Sequence, residues 1–359
     1  MLIHLVAAAR PNFMKVAPLY HELKKYPHQT KIVHTGQHYD FNMSKAFFND
    51  LGLPEPDVNL EVGSGTHAEQ TGGVLIAYES YLMTHPPPDW IIVVGDVNST
   101  MACTLAAKKL NLKVAHLEAG LRSFDRTMPE EINRIVTDSL ADILWTPSPD
   151  ADENLIKEGI NPKCIKRVGN IMIDSLLMLK EKIDLQNTWE KFGLTPFQYG
   201  LVTIHRPANT DEPRQLMEIV NTLVKLSTQL PLIIALHPRT KNKLLSFQLM
   251  DKLANASGMI LTEPLGYLEF MGLLQNTRLV ITDSGGLQEE TTFMDIPCLT
   301  LRDNTERPIT CSQGTNELVT LNNLEAAFEK ILSGGWKKTA IPELWDGKTA
   351  QRIVRDMMD

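Results

Sequence analysis

The 359-residue sequence has few cysteines and no long apolar run. Its four cysteines, Cys103, Cys164, Cys298 and Cys311, form no C-x-x-C pair, so neither a zinc site nor a disulfide framework is indicated. No apolar run approaches the roughly 18 residues of a membrane-spanning helix, and the start of the chain does not resemble a signal peptide. We therefore expect a protein of the reducing cytoplasm, with no membrane partner.

The chain also lacks a run of basic residues. It has 35 lysines and arginines against 43 aspartates and glutamates, which gives a net charge of −8. This balance argues against binding to nucleic acid or to an anionic membrane surface. The apolar fraction of 43% and the charged fraction of 22% are those of an ordinary globular protein. An anionic ligand would therefore have to be bound by local positive groups.

Glycine is absent from residues 7–15, the first expected strand-to-helix turn. The sequence therefore does not indicate a nicotinamide dinucleotide bound through the usual G-x-G-x-x-G turn at this position. A glycine pair occurs instead at Gly285-Gly286, after the apolar strand 279–282 and before a helix expected from about residue 287. Free N–H groups at such a turn can bind a phosphate, and Glu290 could then accept hydrogen bonds from a ribose diol. From this segment alone, an ordinary strand-to-helix turn is an equal alternative.

Apolar strand-like segments alternate with helical patterns along the whole chain. The expected strands are residues 2–9, 31–35, 90–94, 114–117 and 143–146, followed by 199–204, 232–236, 259–262, 279–282 and 298–301. Strands this apolar are typical of parallel sheets covered by helices on both faces. We predict an α/β fold of two Rossmann-like, doubly wound domains, residues 1–169 and 170–345. The amphipathic helix at 346–359 is assigned to the first domain, whose surface would cover its apolar stripe.

Polar residues follow most of these strands, at the edge where open α/β sheets bind ligands. They include Asp96, Glu118, Glu130, Glu131 and His205. Most have a structural alternative: Asp96 could cap a helix, Glu130 or Glu131 could form a salt bridge with Arg134 at helical spacing, and His205 could be a structural histidine. Glu118 is harder to explain in this way, because an acid beside Ala-Gly at the end of an apolar strand is poorly placed as a surface charge. Their common placement at strand ends favours a site for a nucleotide-linked substrate whose chemistry needs proton transfer.

Taken in order, motifs from the first strand to the last helix closely resemble those of the non-hydrolysing UDP-N-acetylglucosamine 2-epimerases. They are residues 9–15, 36–39, 95–96, HLEAGLR at 116–122, MPEEINR at 128–134, 168–170, 205–206, DSGGLQEE at 283–290, TERP at 305–308 and 346–348. The resemblance implies a glycosyltransferase-B-like fold with an interdomain cleft, the C-terminal helix packed on the N-terminal domain, a homodimer, and no metal or other cofactor. It implies interconversion of UDP-GlcNAc and UDP-ManNAc through elimination of UDP, a 2-acetamidoglucal intermediate and re-addition.

The resemblance also implies roles for individual residues. The positions that match catalytic residues are Asp96, Glu118, Glu130 and His205, with Asp96 and Glu130 as candidates for proton transfer at C2. The positions that match UDP-binding residues are Arg10, Lys15, Phe270, Ser284, Gly285, Gly286, Glu290 and Arg307, with Phe270 at the uracil and Arg307 at a phosphate.

The chain departs from the family pattern at several positions. Asn12 replaces the usual glutamate after Arg-Pro, Phe13 follows it, and residues 207–210 after His205-Arg206 are less charged than in many bacterial members. Many bacterial members bind a second UDP-GlcNAc as an activator near the positions of residues 37–40, where Asp40 departs from the pattern. These departures keep a related UDP-diacetamido sugar open as the substrate. A hydrolysing epimerase, a glycosyltransferase of the same fold and a nucleotide-sugar sensor are further alternatives.

Overall fold

A computed structural model describes residues 1–36 and 48–358, so the departure at residues 37–40 lies outside the described residues. The chain divides into two compact units, Met1–Met178 with Glu343–Asp359, and Leu179–Pro342. Among the described residues, no helix has the length and apolar character needed to cross a membrane.

The described part of the first unit contains a seven-stranded parallel sheet in the order β3-β2-β1-β4-β5-β6-β7. Its strands are β1 (Leu2–Ala7), β2 (Gln29–His34), β3 (Val58–Asn59), β4 (Trp90–Val94), β5 (Val114–Leu117), β6 (Ile143–Thr146) and β7 (Ile165–Arg167). Its helices are α1 (Arg10–Leu23), α2 (His67–Thr84), α3 (Asn98–Lys109), α4 (Pro129–Leu140), α5 (Pro149–Lys157), α6 (Ile171–Met178) and, at the end of the chain, α17 (Thr349–Met358).

The second unit contains a six-stranded parallel sheet in the order β10-β9-β8-β11-β12-β13. Its strands are β8 (Gly200–Thr203), β9 (Leu232–Ala235), β10 (Met259–Thr262), β11 (Leu279–Thr282), β12 (Cys298–Leu301) and β13 (Asn316–Val319). Its helices are α7 (Lys180–Asp184), α8 (Thr188–Lys191), α9 (Pro207–Thr210), α10 (Pro213–Ser227), α11 (Pro238–Ser246), α12 (Met250–Ala254), α13 (Tyr267–Leu274), α14 (Gly285–Phe293), α15 (Pro308–Ser312) and α16 (Leu321–Leu332).

The register of the central strands brings polar strand ends to the same edge of each sheet. In the first unit, Val94 pairs with Leu117, so the turns that carry Asp96 and Glu118 begin at the same level. In the second unit, Thr282 pairs with Thr203, so the turns after β8 and β11 are also level. The apolar strands themselves are buried, and branched side chains such as Ile281 form the core between sheet and helices.

Helix α6 belongs to the first unit, although the boundary predicted from sequence lies just before it. The Ser175 hydroxyl donates to the Met14 carbonyl of α1 at 2.5 Å. Asp174 accepts hydrogen bonds from Thr349 N–H at 3.1 Å and Ala350 N–H at 2.8 Å, which caps α17. Helix α17 therefore packs within the first unit, as expected, and α6 provides part of its docking surface. The division between the two units therefore falls after α6 and not before it.

Two helices begin earlier than the sequence suggests. Helix α1 starts at Arg10, five residues before Lys15, because Pro11 in its first turn already has a helix-compatible φ. Helix α14 starts at Gly285 and not near Leu287. Consequently Arg10 and the glycine pair occupy the first turns of their helices, where backbone N–H groups lack intrahelical acceptors.

Candidate active site

The first unit buries an ion pair between Lys15 and Glu118, whose side chains are 10% and 3% exposed. Glu118 follows β5 with a φ of 74°, a left-handed conformation that is strained for a glutamate. Gly95, at the end of β4, lies against the pair, because a Cβ there would be 3.1 Å from Lys15 Nζ and 3.4 Å from Glu118 Oε2. The close packing of β4, β5 and α1 thus places a cation and a carboxylate together at the sheet edge.

Asn12, one of the departures from the family pattern, connects two strands. Its Oδ1 accepts from Ala8 N–H at 3.3 Å and Ala9 N–H at 3.0 Å, while its Nδ2 donates to the Val94 carbonyl at 3.0 Å. A glutamate carboxylate could not make the last bond because it has no N–H donor. The hydrogen bond to Val94 therefore explains why position 12 carries asparagine in this chain.

Asp96 does not cap α3, whose N-cap is Val97. It pairs instead with Arg134 of α4, with Arg134 Nη1 2.5 Å from Asp96 Oδ2. The Asp96 side chain is 32% exposed whereas Arg134 is almost fully buried. The buried Arg134 guanidinium therefore holds one side of the Asp96 carboxylate, while another part of the carboxylate faces solvent. The sequence predicts Arg134 only as a salt-bridge partner of Glu130 or Glu131 on its own helix.

The two neighbouring glutamates of α4 have different environments. Glu131 is buried and accepts hydrogen bonds from the backbone of Ser123 at 3.0 Å and Phe124 at 2.9 Å, and from Arg134 at 2.7 Å. Burial opposes its ionisation, but these donors outweigh burial and lower the pKa of Glu131. Glu130 is exposed. The salt bridge expected at helical spacing belongs to Glu131, which leaves Glu130 as the accessible carboxylate.

In the second unit, His205 is held by the buried carboxylate of Asp283. His205 Nδ1 lies 2.9 Å from Asp283 Oδ1, and the His205 side chain is 38% exposed. Asp283 also accepts from the backbone N–H of Arg206 at 2.8 Å and from Asn209 Nδ2 at 3.0 Å. Burial opposes ionisation of Asp283, but His205 and the other donors lower its pKa. The carboxylate fixes Nδ1 and directs the other ring nitrogen, Nε2, away from Asp283.

The glycine pair at the start of α14 has two different surroundings. A Cβ at Gly285 would lie 2.5 Å from Glu306 Oε1 and 2.9 Å from Arg307 Nη1. A Cβ at Gly286 would meet no atom within 4 Å among the described residues. Ser284, the N-cap, makes no side-chain cap bond. Gly285 is therefore needed for packing against Arg307, whereas Gly286 adjoins open space at a helix N-terminus.

Arg307 is held by two buried glutamates. Its Nη1 lies 2.5 Å from Glu306 Oε1, and its Nε lies 2.9 Å from Glu289 Oε1. Glu306 also accepts from Arg302 at 2.9 Å. Burial opposes ionisation of Glu306, but Arg307 and Arg302 outweigh it and lower its pKa well below the usual range. Sequence reasoning missed Glu306, although it stands beside Arg307 in the TERP motif.

Glu290, three residues after Leu287, is buried and accepts a hydrogen bond from the Tyr267 hydroxyl at 2.9 Å. Burial raises the pKa of Glu290 to about 7. Tyr267 begins α13, the helix that also carries Phe270. Tyr267 was not predicted as a site residue, since nothing in the sequence connects it with a position on another helix.

The candidate residues are thus divided between the units. Those in the first unit are Arg10, Lys15, Asp96, Glu118 and Glu130; those in the second are His205, Phe270, Ser284, Gly285, Gly286, Glu290 and Arg307. Direct contact is found between Lys15 and Glu118 and close approach between Gly285 and Arg307. Throughout residues 1–36 and 48–358, no group of three or more His, Cys, Asp or Glu side chains could hold a metal ion.

Comparison with known proteins gives a consistent result. A family model described as UDP-N-acetylglucosamine 2-epimerase matches residues 21–358. A Methanocaldococcus jannaschii protein named UDP-N-acetylglucosamine 2-epimerase is 42% identical, covering 99% of this chain and 98% of the relative. A Pseudomonas aeruginosa protein named UDP-2,3-diacetamido-2,3-dideoxy-D-glucuronate 2-epimerase is 41% identical, covering 89% of this chain and 88% of the relative.

Among solved structures, that of the M. jannaschii UDP-GlcNAc 2-epimerase in complex with UDP-GlcNAc and UDP matches with a TM-score of 0.90 and 42% identity. The match covers 100% of this chain and 99% of that one. Together with the two parallel sheets, it confirms the predicted α/β fold of the glycosyltransferase-B type.

Proposed function

This chain belongs to the UDP-N-acetylglucosamine 2-epimerase family, and we propose that it reversibly epimerises UDP-GlcNAc and UDP-ManNAc at C2. The observation that carries the proposal is the set of three carboxylates at one sheet edge of the first unit: Asp96 paired with Arg134, Glu118 paired with Lys15, and the exposed Glu130. The C2 proton is weakly acidic and must be handled on both faces of the sugar, which requires more than one acid–base group.

In the proposed reaction, one carboxylate removes the proton from C2 while the C1–O bond to UDP breaks. The C2–H electron pair forms the C1=C2 bond of a 2-acetamidoglucal, and the C1–O electron pair leaves with UDP. Re-addition of UDP at C1 with protonation of the opposite face of C2 completes the epimerisation. Asp96 and Glu130 are our candidates for the two proton transfers, and no redox step is needed.

The second unit supplies most of the groups proposed to bind UDP, and Arg10 and Lys15 of the first unit are the others. Arg307 provides a positive charge beside Gly285, and the N-terminus of α14 provides backbone N–H donors for a phosphate. His205, held by Asp283, would stabilise negative charge on the departing diphosphate when protonated. Glu290 would accept from the ribose and Phe270 would contact the uracil.

A second candidate substrate is a UDP-diacetamido uronate sugar. The P. aeruginosa relative named for that substrate is 41% identical to this chain, nearly as similar as the M. jannaschii UDP-GlcNAc 2-epimerase at 42%. The two activities share the elimination at C1 and C2 and differ only in substituents of the sugar. Sequence identity therefore supports epimerisation at C2 but does not distinguish between the two sugar substrates.

The experiment is product analysis with each UDP-sugar and the pure protein, without added metal or acceptor. We expect UDP-GlcNAc to give UDP-ManNAc, resolved by anion-exchange chromatography, with a larger kcat/KM than UDP-2,3-diacetamido-2,3-dideoxy-D-glucuronate. The reverse ratio would establish the second candidate. Release of free ManNAc with UDP would indicate a hydrolysing enzyme, and consumption only when an acceptor sugar is added would indicate a glycosyltransferase.

We also propose that the enzyme acts in the cytoplasm as a homodimer, as its family membership suggests. Light scattering coupled to size-exclusion chromatography tests the assembly. The expected mass is twice the chain mass of 40.3 kDa, and a monomer mass at micromolar protein concentration would contradict it.

A further inference from the structure

His116 lies inside β5, two residues before Glu118, and is completely buried. Its ring connects two neighbouring segments of the first unit. His116 Nε2 lies 2.8 Å from the carbonyl oxygen of Gly95, the residue before Asp96. His116 Nδ1 lies 2.6 Å from Asp138 Oδ1 on α4. One side chain thus bridges the turn after β4 and the helix that carries Glu130.

Asp138 extends the connection to a third segment. Its second oxygen, Oδ2, accepts from Gly120 N–H at 3.0 Å and lies 2.7 Å from Arg122 Nη1. Both residues are in the turn that follows Glu118. Arg122 in turn pairs with Glu158 at 2.7 Å. The side chains of His116, Asp138 and Arg122 are each no more than 1% exposed.

Both ring nitrogens of His116 contact hydrogen-bond acceptors, the Gly95 carbonyl and the Asp138 carboxylate. Burial opposes ionisation of Asp138, but His116 and Arg122 outweigh it and lower the pKa of Asp138. Asp138 is therefore buried between His116 and Arg122, and Arg122 also pairs with Glu158, which is exposed.

We propose that His116 and Asp138 are positioning residues for the epimerisation, which hold the segments of Asp96, Glu118 and Glu130 in one fixed arrangement. This inference rests on the function proposed above. Neither residue is placed to touch substrate, since both are buried beneath the sheet edge. An enzyme that removes a proton on one face of C2 and returns it on the other needs a fixed spacing between its carboxylates. A misplacement of 1 Å can cost about 100-fold in rate.

A purely structural role is the competing explanation, and the chain offers a matched control. His4, in β1 of the same sheet, is also buried, 1% exposed, and bonds to the Tyr78 hydroxyl at 3.0 Å. Its contacts do not involve the three carboxylate segments. His4→Ala and His116→Ala therefore remove the same side chain from comparable depth. Only His116→Ala removes contacts between the segments that carry the three carboxylates.

The test compares kcat and KM for epimerisation in these variants at a temperature where each is folded by circular dichroism. We expect His116→Ala to lower kcat about 100-fold, with KM changed less than about threefold because six of the eight UDP-binding candidates are in the second unit. His4→Ala should keep kcat within about threefold of wild type. If His116→Ala fails to fold, His116→Gln, whose amide nitrogen reaches only one of the two acceptors, should lower kcat by about 10-fold.

Asp138→Asn supplies a rescue by a conservative change. The asparagine oxygen can still accept from Gly120 and Arg122, while its NH₂ group can donate to the ring nitrogen Nδ1 of His116. We expect kcat within about 10-fold of wild type, well above that of Asp138→Ala. Equal kcat losses in His4→Ala and His116→Ala, or an effect on KM alone, would overturn the positioning role. Absence of epimerisation in the wild type would overturn both this inference and the proposed function.

Discussion

Arg134 Nη1 lies 2.5 Å from Asp96 Oδ2 and joins the end of β4 to α4. The same guanidinium donates through Nη2 to Glu131 at 2.7 Å. Arg134 is buried, whereas Asp96 is partly exposed. A buried cation therefore orients an accessible carboxylate, and the two-armed donation explains why arginine suits this position better than lysine. The relationship separates Asp96, which faces solvent, from Glu131, which is part of the support.

We predict that Asp96→Asn and Glu130→Gln each lower turnover by at least about 1,000-fold, since each keeps its shape and loses an acid–base group. UDP affinity, measured by calorimetry, should change less than about threefold. Glu131→Gln is the matched control from the adjacent position. It should reduce the melting temperature, because Glu131 holds the backbone of Ser123 and Phe124. UDP affinity lost in parallel with activity in Asp96→Asn would contradict the assigned role.

Removing one partner of the Lys15–Glu118 pair should destabilise the first unit strongly. Lys15→Met leaves a buried carboxylate with less compensation, and the expected cost is about 3 to 5 kcal/mol in the free energy of unfolding. The double variant Lys15→Met/Glu118→Gln should recover part of that loss, which a double-mutant cycle in urea would measure. Strictly additive effects of the two single changes would show that the pair is not coupled. UDP is absent from this measurement, so binding does not obscure it.

Alanine substitutions at the paired glycines should have opposite effects on the ligand-free protein. Gly285→Ala forces a Cβ into Glu306 and Arg307, so we expect a lower melting temperature and weaker UDP binding. Gly286→Ala meets open space and should stabilise the ligand-free helix by up to about 1 kcal/mol. Its UDP affinity should nevertheless fall, because the proposed phosphate occupies that space. Unchanged UDP binding in Gly286→Ala would place the phosphate elsewhere.

Glu290 should make the ligand-free protein less stable as pH rises. Its pKa is about 7 in the fold against an ordinary value of 4.5, so the folded state binds the proton more tightly than the unfolded state. The free energy of unfolding should therefore decrease as the pH rises from about 4.5 to about 7. Glu290→Gln removes the ionisation and should stabilise the protein by about 3 kcal/mol at pH 8 and by little at pH 4.5. Equal melting temperatures of the two proteins at pH 8 would contradict the shifted pKa.

UDP binding gives an independent check of Glu290. The Glu290 carboxylate is proposed to accept hydrogen bonds from the ribose diol, so wild-type affinity for UDP should weaken as pH falls below about 7. Glu290→Gln should bind UDP more weakly than wild type at pH 8 and lose this pH dependence. Titration calorimetry at several pH values measures both properties.

The sequence predicted the central strands well because those strands are buried on both faces and are therefore continuously apolar. It missed β3, β7 and β13, which lack that apolar pattern. In β7, for example, Lys166 and Arg167 are both exposed at the edge of the sheet. It also missed the full length of α1, since residues 10–12 have the composition of a polar loop although they form the first turn of the helix.

The polar residues of the site followed from their positions at strand ends, but their supports did not. Asp96 pairs with Arg134 across 38 positions, and Glu290 with Tyr267 across 23, and one sequence without its fold gives no sign of such pairs. His116 was the exception that could have been noticed. A histidine inside the apolar strand Val114–Leu117 has to find buried partners, and that requirement alone marks it for inspection.

The most direct test of the account is proton NMR of UDP-GlcNAc incubated with the pure protein in D₂O. The proposed mechanism breaks the C2–H bond and takes the new proton from groups that exchange with solvent. We therefore predict that UDP-ManNAc appears with deuterium at C2. UDP-ManNAc that retains the original hydrogen at C2 would contradict the proton-transfer mechanism, and unchanged UDP-GlcNAc would contradict the assignment of this substrate.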